Sequence, residues 1–233
     1  MREPLIIGHR GASAVAPENT MAAFEAAIAA GADGIEFDVH LSRDGVPVII
    51  HDDTLQRTVG LRKRVADLTA AELRAVDVPS LRELFELMTG NSLILYLEIK
   101  ARSTELAKLC CGLVREFSFA DRVIFECFDL TILKAIDPPL NTAALFDSWI
   151  YTDRSLIERA LEVRASVLAL HHRLARPALI EKAKVAWLRV VIWTVDDPAW
   201  VGRARTMGIE ALITNDPARL IEASDQIRVE LNQ

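Results

Sequence analysis

The sequence predicts an α/β fold: a closed TIM (β/α)8 barrel with a short insertion after the second strand. Three observations predict it. Short apolar runs of strand length alternate with helical stretches, the pattern of a parallel sheet covered by helices. About eight such units fit in 233 residues, close to the roughly 250 typical of a barrel. No G-x-G-x-x-G turn follows the first apolar run, so the usual mark of an open dinucleotide-binding sheet is missing.

The elements follow in order. A strand over 5–8 leads to a helix over 20–31, whose N-cap is Asn19 or Thr20. A second strand at 34–39 is followed by the turn Asp44-Gly45 and an extra strand at 48–50, paired near it. The connection from Asp53 to Asn91 is long. It carries two helix starts with capping boxes, Thr69-Ala70-Ala71-Glu72 and, after Pro79, Ser80-Leu81-Arg82-Glu83. The helix over 80–88 reads as the barrel's second. Residues 54–79 are then an insertion too small for a separate domain, and 1–233 reads as one domain. Further strands are expected at 93–99, 123–125, 142–145, 167–170, 190–193 and 211–213. Helices fill 104–117, 129–136, 154–163, 176–186, 197–207 and 217–223. Residues after Ser224 are polar and read as a fraying end.

Composition excludes some functions. With 27 basic and 33 acidic residues the net charge is −6. There is no overall basic field to attract nucleic acid or an anionic membrane. The apolar run after Met1-Arg2-Glu3-Pro4 is too short for a signal-peptide core. No stretch approaches the roughly 18 apolar residues that span a bilayer, so no stable membrane insertion is expected. Cys110, Cys111 and Cys127 show neither metal spacing nor a disulfide framework. They read as reduced thiols of a cytoplasmic protein, filling space as small apolar side chains.

Charged groups on otherwise apolar strands need partners or a metal. Alternation puts Ile35, Phe37 and Val39 on one face of the second strand and Glu36 and Asp38 on the other. In 93–100 it groups Leu95, Leu97 and Ile99 against Tyr96, Glu98 and Lys100. With the apolar faces toward the helices, Glu36, Asp38, Glu98 and Lys100 converge at the C-terminal mouth, where barrel enzymes carry their chemistry. An ion-pair cluster filling the barrel would use the same residues. Histidines at neighbouring strand ends favour a divalent cation instead, and all-oxygen ligands suit magnesium, calcium or manganese over zinc. His9 and His51 are placed as acid and base of a hydrolysis. Arg10 presents a fork suited to phosphate oxygens, and Lys100 a second cation. His40 is expected to point away from the carboxylates, and the pair His171-His172 to lie in a loop.

These residues resemble the glycerophosphodiester phosphodiesterase family. The resemblance runs through "GHRGASAVAPENTMAAFEAAIAAGADGIEFDVHLSRDGVPVIIHDDTLQRT" and resumes at "VPSLRELFELM", "LYLEIK", "VVIWTVDDP" and "MGIEALITNDPARL". Residues 104–185 match mainly as fold. The resemblance implies a TIM barrel with a small insertion after the second strand. It implies His9 and His51 as general acid and base, and one cation, Mg2+ or Ca2+, on Glu36, Asp38 and Glu98. Arg10 and Lys100 would contact the substrate phosphate, Trp193 would pack on the glycerol moiety, and Phe128 would wall the pocket. The implied reaction releases sn-glycerol 3-phosphate and an alcohol from a glycerophosphodiester. Either water or the substrate's own glycerol hydroxyl attacks phosphorus.

Glu18 would line the site and Asp52 would orient its surroundings. Departures are Cys127-Phe128, where relatives often have Ser-Phe, and a short insertion that leaves the pocket more open. The implied partner is a small-molecule substrate, and self-association into a homo-oligomer is compatible with the sequence. Competing readings are a lysophospholipase D-like hydrolase, a metal-dependent aldolase or isomerase, and a binding barrel without chemistry. The last would lack a histidine or carboxylate of the set, and this chain lacks none.

Overall fold

A strand sends alternate side chains to opposite faces, and here both faces find a core. The computed structural model describes residues 3–100, 102–148 and 150–231. Nine strands form one sheet: β1 (Leu5–His9), β2 (Gly34–Leu41), β3 (Pro47–Ile49), β4 (Ile94–Ile99), β5 (Val123–Cys127), β6 (Asn141–Phe146), β7 (Val167–His171), β8 (Arg189–Trp193) and β9 (Ala211–Thr214). Their order is β1-β9-β8-β7-β6-β5-β4-β2-β3, and a β1–β2 pairing closes eight parallel strands into a barrel. Strand β1 leaves β2 at the pair His9↔Glu36. Above that point β3 runs antiparallel to β2 from Val39↔Ile49 to Leu41↔Pro47. The extra strand therefore extends the barrel wall beyond its rim.

The inward row holds Ile7, Tyr96, Ile124, Leu145, Val191 and Ile213. The outward row, including Phe37, Leu97, Phe125 and Ile192, packs beneath the helices. Each such fully buried side chain contributes roughly 1.5–3 kcal/mol by leaving water. The surrounding helices are α1 (Met21–Ala29), the insertion's α2 (Gln56–Val59) and α3 (Ala70–Arg74), then α4 (Leu81–Leu87), α5 (Thr104–Glu116), α6 (Leu130–Leu133), α7 (Asp153–Glu162), α8 (Pro177–Val185), α9 (Ala199–Met207) and α10 (Pro217–Leu231). Thr20 caps α1, and both expected capping boxes form at Thr69 and Ser80. The insertion buries its own cluster, in which Leu55, Val65 and Leu73 pack on Val48 and Ile50.

Three departures from the sequence pattern have a clear physical cause. Helix α6 is a single turn rather than a run over 129–136; Asp137-Pro138-Pro139 follows closely, and the residue before a proline is pushed out of the helical region. Strand β5 continues through Cys127, because Glu126 pairs with Glu98 on one side and Cys127 with Ala144 on the other. Helix α10 does not fray after Ser224: that serine is buried, and Ile227 packs on the core. Asn232 and Gln233 lie outside the described residues, as do Met1 and Arg2. No helix among the described residues is long and apolar enough to cross a membrane. The three cysteines are free and buried.

Candidate active site

The inward rows end together at the C-terminal mouth. His9 is in phase with Ile7, Glu36 and Asp38 with Gly34, and Glu98 with Tyr96. One carboxylate oxygen from each of Glu36, Asp38 and Glu98 lies within 4.8 Å of the others, and all three residues are buried. Lys100 Nζ stands 3.1 Å from Asp38 Oδ1 and 2.8 Å from Glu98 Oε1. Arg10 Nε is 3.3 Å from Asp38 Oδ2. Asp38 Oδ1 nevertheless has no hydrogen bond of good geometry. A buried carboxylate oxygen with an ion pair but no well-aligned donor, beside two further carboxylates, belongs to a donor set that fits a hard divalent cation.

The electrostatics follow from burial and neighbours. Burial, then Asp38, pushes the Glu98 carboxyl up to about 8. Burial also raises Glu36, with Asp38 and Glu126 adding to it. Burial alone would raise Asp38, but Lys100 and Arg10 outweigh it and hold Asp38 at about 2. Asn19 supports Asp38 from behind. Its Nδ2 donates to Asp38 Oδ2 at 2.7 Å, and its Oδ1 accepts from the Asp38 amide at 3.3 Å. Asn19 and Arg10 both sit at positive φ, 57° and 54°. For Arg10 this turn lets its backbone N–H donate to Glu36 Oε2 at 3.0 Å while its guanidinium donates to Glu18 at 2.8 Å. Such backbone outliers concentrate where the surrounding structure holds them for a task.

Each histidine is oriented by a partner. The side-chain amide of Asn215 donates to Asp196 at 2.7 Å, so its Oδ1 must face His9. His9 Nδ1–H therefore donates to Asn215 Oδ1 at 2.7 Å, and Nε2 carries the lone pair, 3.8 Å from Glu36 Oε2. Burial, with Arg10 adding, pulls His9 down to about 4. His51 Nδ1 donates to Asp52 Oδ1 at 2.6 Å. Asp52 is held in turn by Arg57 of α2, which also binds Glu18 through both terminal nitrogens. The insertion thus fastens the His51 loop to the Glu18 loop through ion pairs.

His9, Arg10, Glu36, His51, Glu98 and Lys100 line one pocket of about 290 Å³. Phe128 and Trp193 form its opposite wall, ring centroids 5.6 Å apart and edge to face. Cys127 faces outward, its Sγ–H donating to the Ile99 carbonyl at 3.1 Å. One expectation is corrected. His40 shares the parity of Glu36 and Asp38 and does not turn away from them; its Nε2–H donates to the His51 carbonyl at 3.0 Å and so braces the catalytic-face loop. His172 binds the Thr194 carbonyl at 2.9 Å, whereas His171 ends β7 with its ring 5.1 Å from Trp193.

Sequence reasoning missed Asn215, Asp147 and Glu126. Each is in phase with an inward apolar residue, respectively Ile213, Leu145 and Ile124. Continuing the alternation one step past the last inward apolar residue of each strand would have found all three.

The sequence model of the glycerophosphoryl diester phosphodiesterase family matches residues 9–219. The chain belongs to this family. A glycerophosphodiester phosphodiesterase of Caldanaerobacter subterraneus subsp. tengcongensis is 33% identical over 236 residues, spanning 93% of this chain and 96% of that relative. The crystal structure of the Thermotoga maritima glycerophosphodiester phosphodiesterase superposes with a TM-score of 0.82 at 29% identity, covering 98% of this chain and 99% of that one. An Oleispira antarctica phosphodiesterase, solved in complex with the product sn-glycerol-3-phosphate, gives a TM-score of 0.86 at 26% identity over 96% and 97% of the two chains. As a member of this family the protein is an enzyme, a metal-assisted phosphoric diester hydrolase.

Proposed function

We propose that this enzyme cleaves glycerophosphodiesters to sn-glycerol 3-phosphate and an alcohol, using one Mg2+ or Ca2+ held by Glu36, Asp38 and Glu98. The observation that carries the reading is the meeting, in one pocket, of that carboxylate cluster with two separately oriented histidines and two cations. When bound, the cation supplies charge stabilisation at the phosphoryl oxygens. Arg10 and Lys100 add fixed positive charge on the same side and orient the phosphate.

His9 is the general base. It is neutral at pH 7, and its hydrogen bond to Asn215 leaves Nε2 free to take the proton of the attacking oxygen. His51 is the general acid. Its bond to Asp52 fixes the ring, and Nε2 hands a proton to the leaving alcohol. Phe128 and Trp193 pack against the glycerol carbons. The three free thiols support a reducing compartment, the cytoplasm, and the acidic net charge supports a small-molecule rather than a nucleic-acid partner.

The test incubates the protein with glycerophosphocholine and follows sn-glycerol 3-phosphate, with Mg2+, Ca2+ or chelator. Turnover should require the cation and should fall about 10²- to 10⁴-fold in H9A and in H51A. Folded, cation-loaded protein that releases no sn-glycerol 3-phosphate refutes the proposal. Choline released from lysophosphatidylcholine alone would point to the lysophospholipid reaction.

A further inference from the structure

We propose that Glu126, together with the indole N–H of Trp193, forms a hydroxyl-reading subsite that selects the glycerol moiety of the substrate. The proposal rests on the reading of the substrate class given above. Glu126 is 2% exposed and lines the same pocket as the carboxylate cluster. Its Oε2 has no hydrogen-bond partner, and neither has Trp193 Nε1. Buried polar atoms are normally satisfied, and an exception in a binding pocket calls for a ligand to complete it.

The two atoms are complementary: a carboxyl oxygen accepts and an indole N–H donates. Both side chains belong to the inward rows, on β5 and β8. Phe128 is in phase with Glu126 along the chain, and its ring meets that of Trp193 edge to face. Glu126 is not one of the cation's ligands by geometry. The oxygens that cluster within 4.8 Å come from Glu36, Asp38 and Glu98. Its carboxylate is left for something else in the pocket.

The chemistry selects the occupant. Glycerol carries hydroxyls that can donate to Oε2 and accept from Nε1–H, and C–H groups that pack on the Phe128 ring. A choline head group has no N–H or O–H at its cationic end to offer Glu126. Propyl phosphate has the three carbons and the phosphate of sn-glycerol 3-phosphate but neither hydroxyl, so it isolates the contribution of the subsite. A site built to bind hydroxyls discriminates against an analogue that leaves its polar atoms unpaired.

The experiment titrates cation-loaded wild type, E126A and the near-isosteric E126Q with sn-glycerol 3-phosphate, propyl phosphate and phosphocholine. Wild type should prefer sn-glycerol 3-phosphate over propyl phosphate by about 10- to 100-fold, the effect of leaving a buried polar group unpaired. E126A should bring the two ligands within about 3-fold of each other, with propyl phosphate and cation affinity unchanged; E126Q should lose part of the preference and, if E126A does not fold, decides alone. Four results overturn the proposal: no preference in wild type, preference retained in both variants, a parallel loss for both ligands and the cation, or a loss confined to phosphocholine. Glycerophosphocholine turnover by the same wild-type sample separates the two claims. Glu126-dependent preference without turnover sinks only the catalytic reading, and turnover without the preference sinks only this one.

Discussion

Cation binding should expel a proton from Glu98, and E98Q should abolish that exchange. Burial and the neighbouring Asp38 push the Glu98 carboxyl up to about 8, so at pH 7 about nine in ten cation-free molecules carry the proton. An ion that needs the carboxylate must displace it, which costs about 1.4 kcal/mol and weakens apparent affinity about 10-fold relative to pH above 8. Affinity should rise about 10-fold per pH unit from 6 to 8 and then level off. Calorimetric titration with Mg2+ or Ca2+ in buffers of different ionisation heat should record proton release at pH 7, with about one proton per ion fewer in E98Q than in wild type.

The sign for stability is opposite. A carboxyl raised in the folded state stabilises the cation-free fold fully below its unfolded value, near 4.5, and loses that contribution as pH rises through about 8. Glutamine mimics the neutral acid, so cation-free E98Q should melt within about 2 °C of wild type at pH 6 and lose this slope. Wild type should gain about 5–10 °C at one hundred times the dissociation constant, and E98Q much less. Affinity that is flat from pH 6 to 9, or E98Q titrating with the wild-type proton count, refutes the reasoning.

Other outcomes follow from single contacts. Replacing Asn215 by Leu frees the His9 ring to change tautomer; kcat should drop about 10- to 100-fold with cation affinity intact, and an unchanged kcat contradicts the assignment. His9 lies at about 4. At saturating cation, the acid limb of kcat/KM should therefore sit well below the ordinary histidine value of 6.5. The same shift means that the His9 contribution to stability is complete above 6.5 and lost as pH falls from there toward about 4, because the unfolded chain takes the proton first. A limb near 6.5 would remove His9 as the base. At Gly11 φ is 82° and an added Cβ would lie 2.5 Å from the Ala23 carbonyl carbon. G11A should cost about 2–4 kcal/mol and lower Tm by about 5–12 °C. G45A, at φ 76° with nothing within 4 Å, should cost only about 1–2 kcal/mol; equal losses in the two variants would show that crowding at Ala23 is not the cause.

The barrel and its carboxylates were legible because their causes are local. A two-residue alternation beside an apolar row sends Glu36, Asp38 and Glu98 inward wherever the strand lies, and a capping box at Thr69 or Ser80 closes within four residues. Glu126 was hidden by a boundary. Nothing in Val123-Ile124-Phe125 says that the strand runs on, and it does so because neighbours on both sides supply hydrogen-bond partners. His40 was placed against its own parity with Glu36 and Asp38, and its contact is set by the carbonyl of His51 on the adjoining loop. The partners that decide which nitrogen of each histidine is free come from farther away. Asn215 reaches His9 across 206 positions, and Arg57 of the insertion joins Asp52 to Glu18. Periodicity can specify a face, since it depends on backbone geometry shared by neighbouring residues. It cannot specify a tautomer, because that depends on which distant side chain the closing of β1 against β9 brings within hydrogen-bond reach.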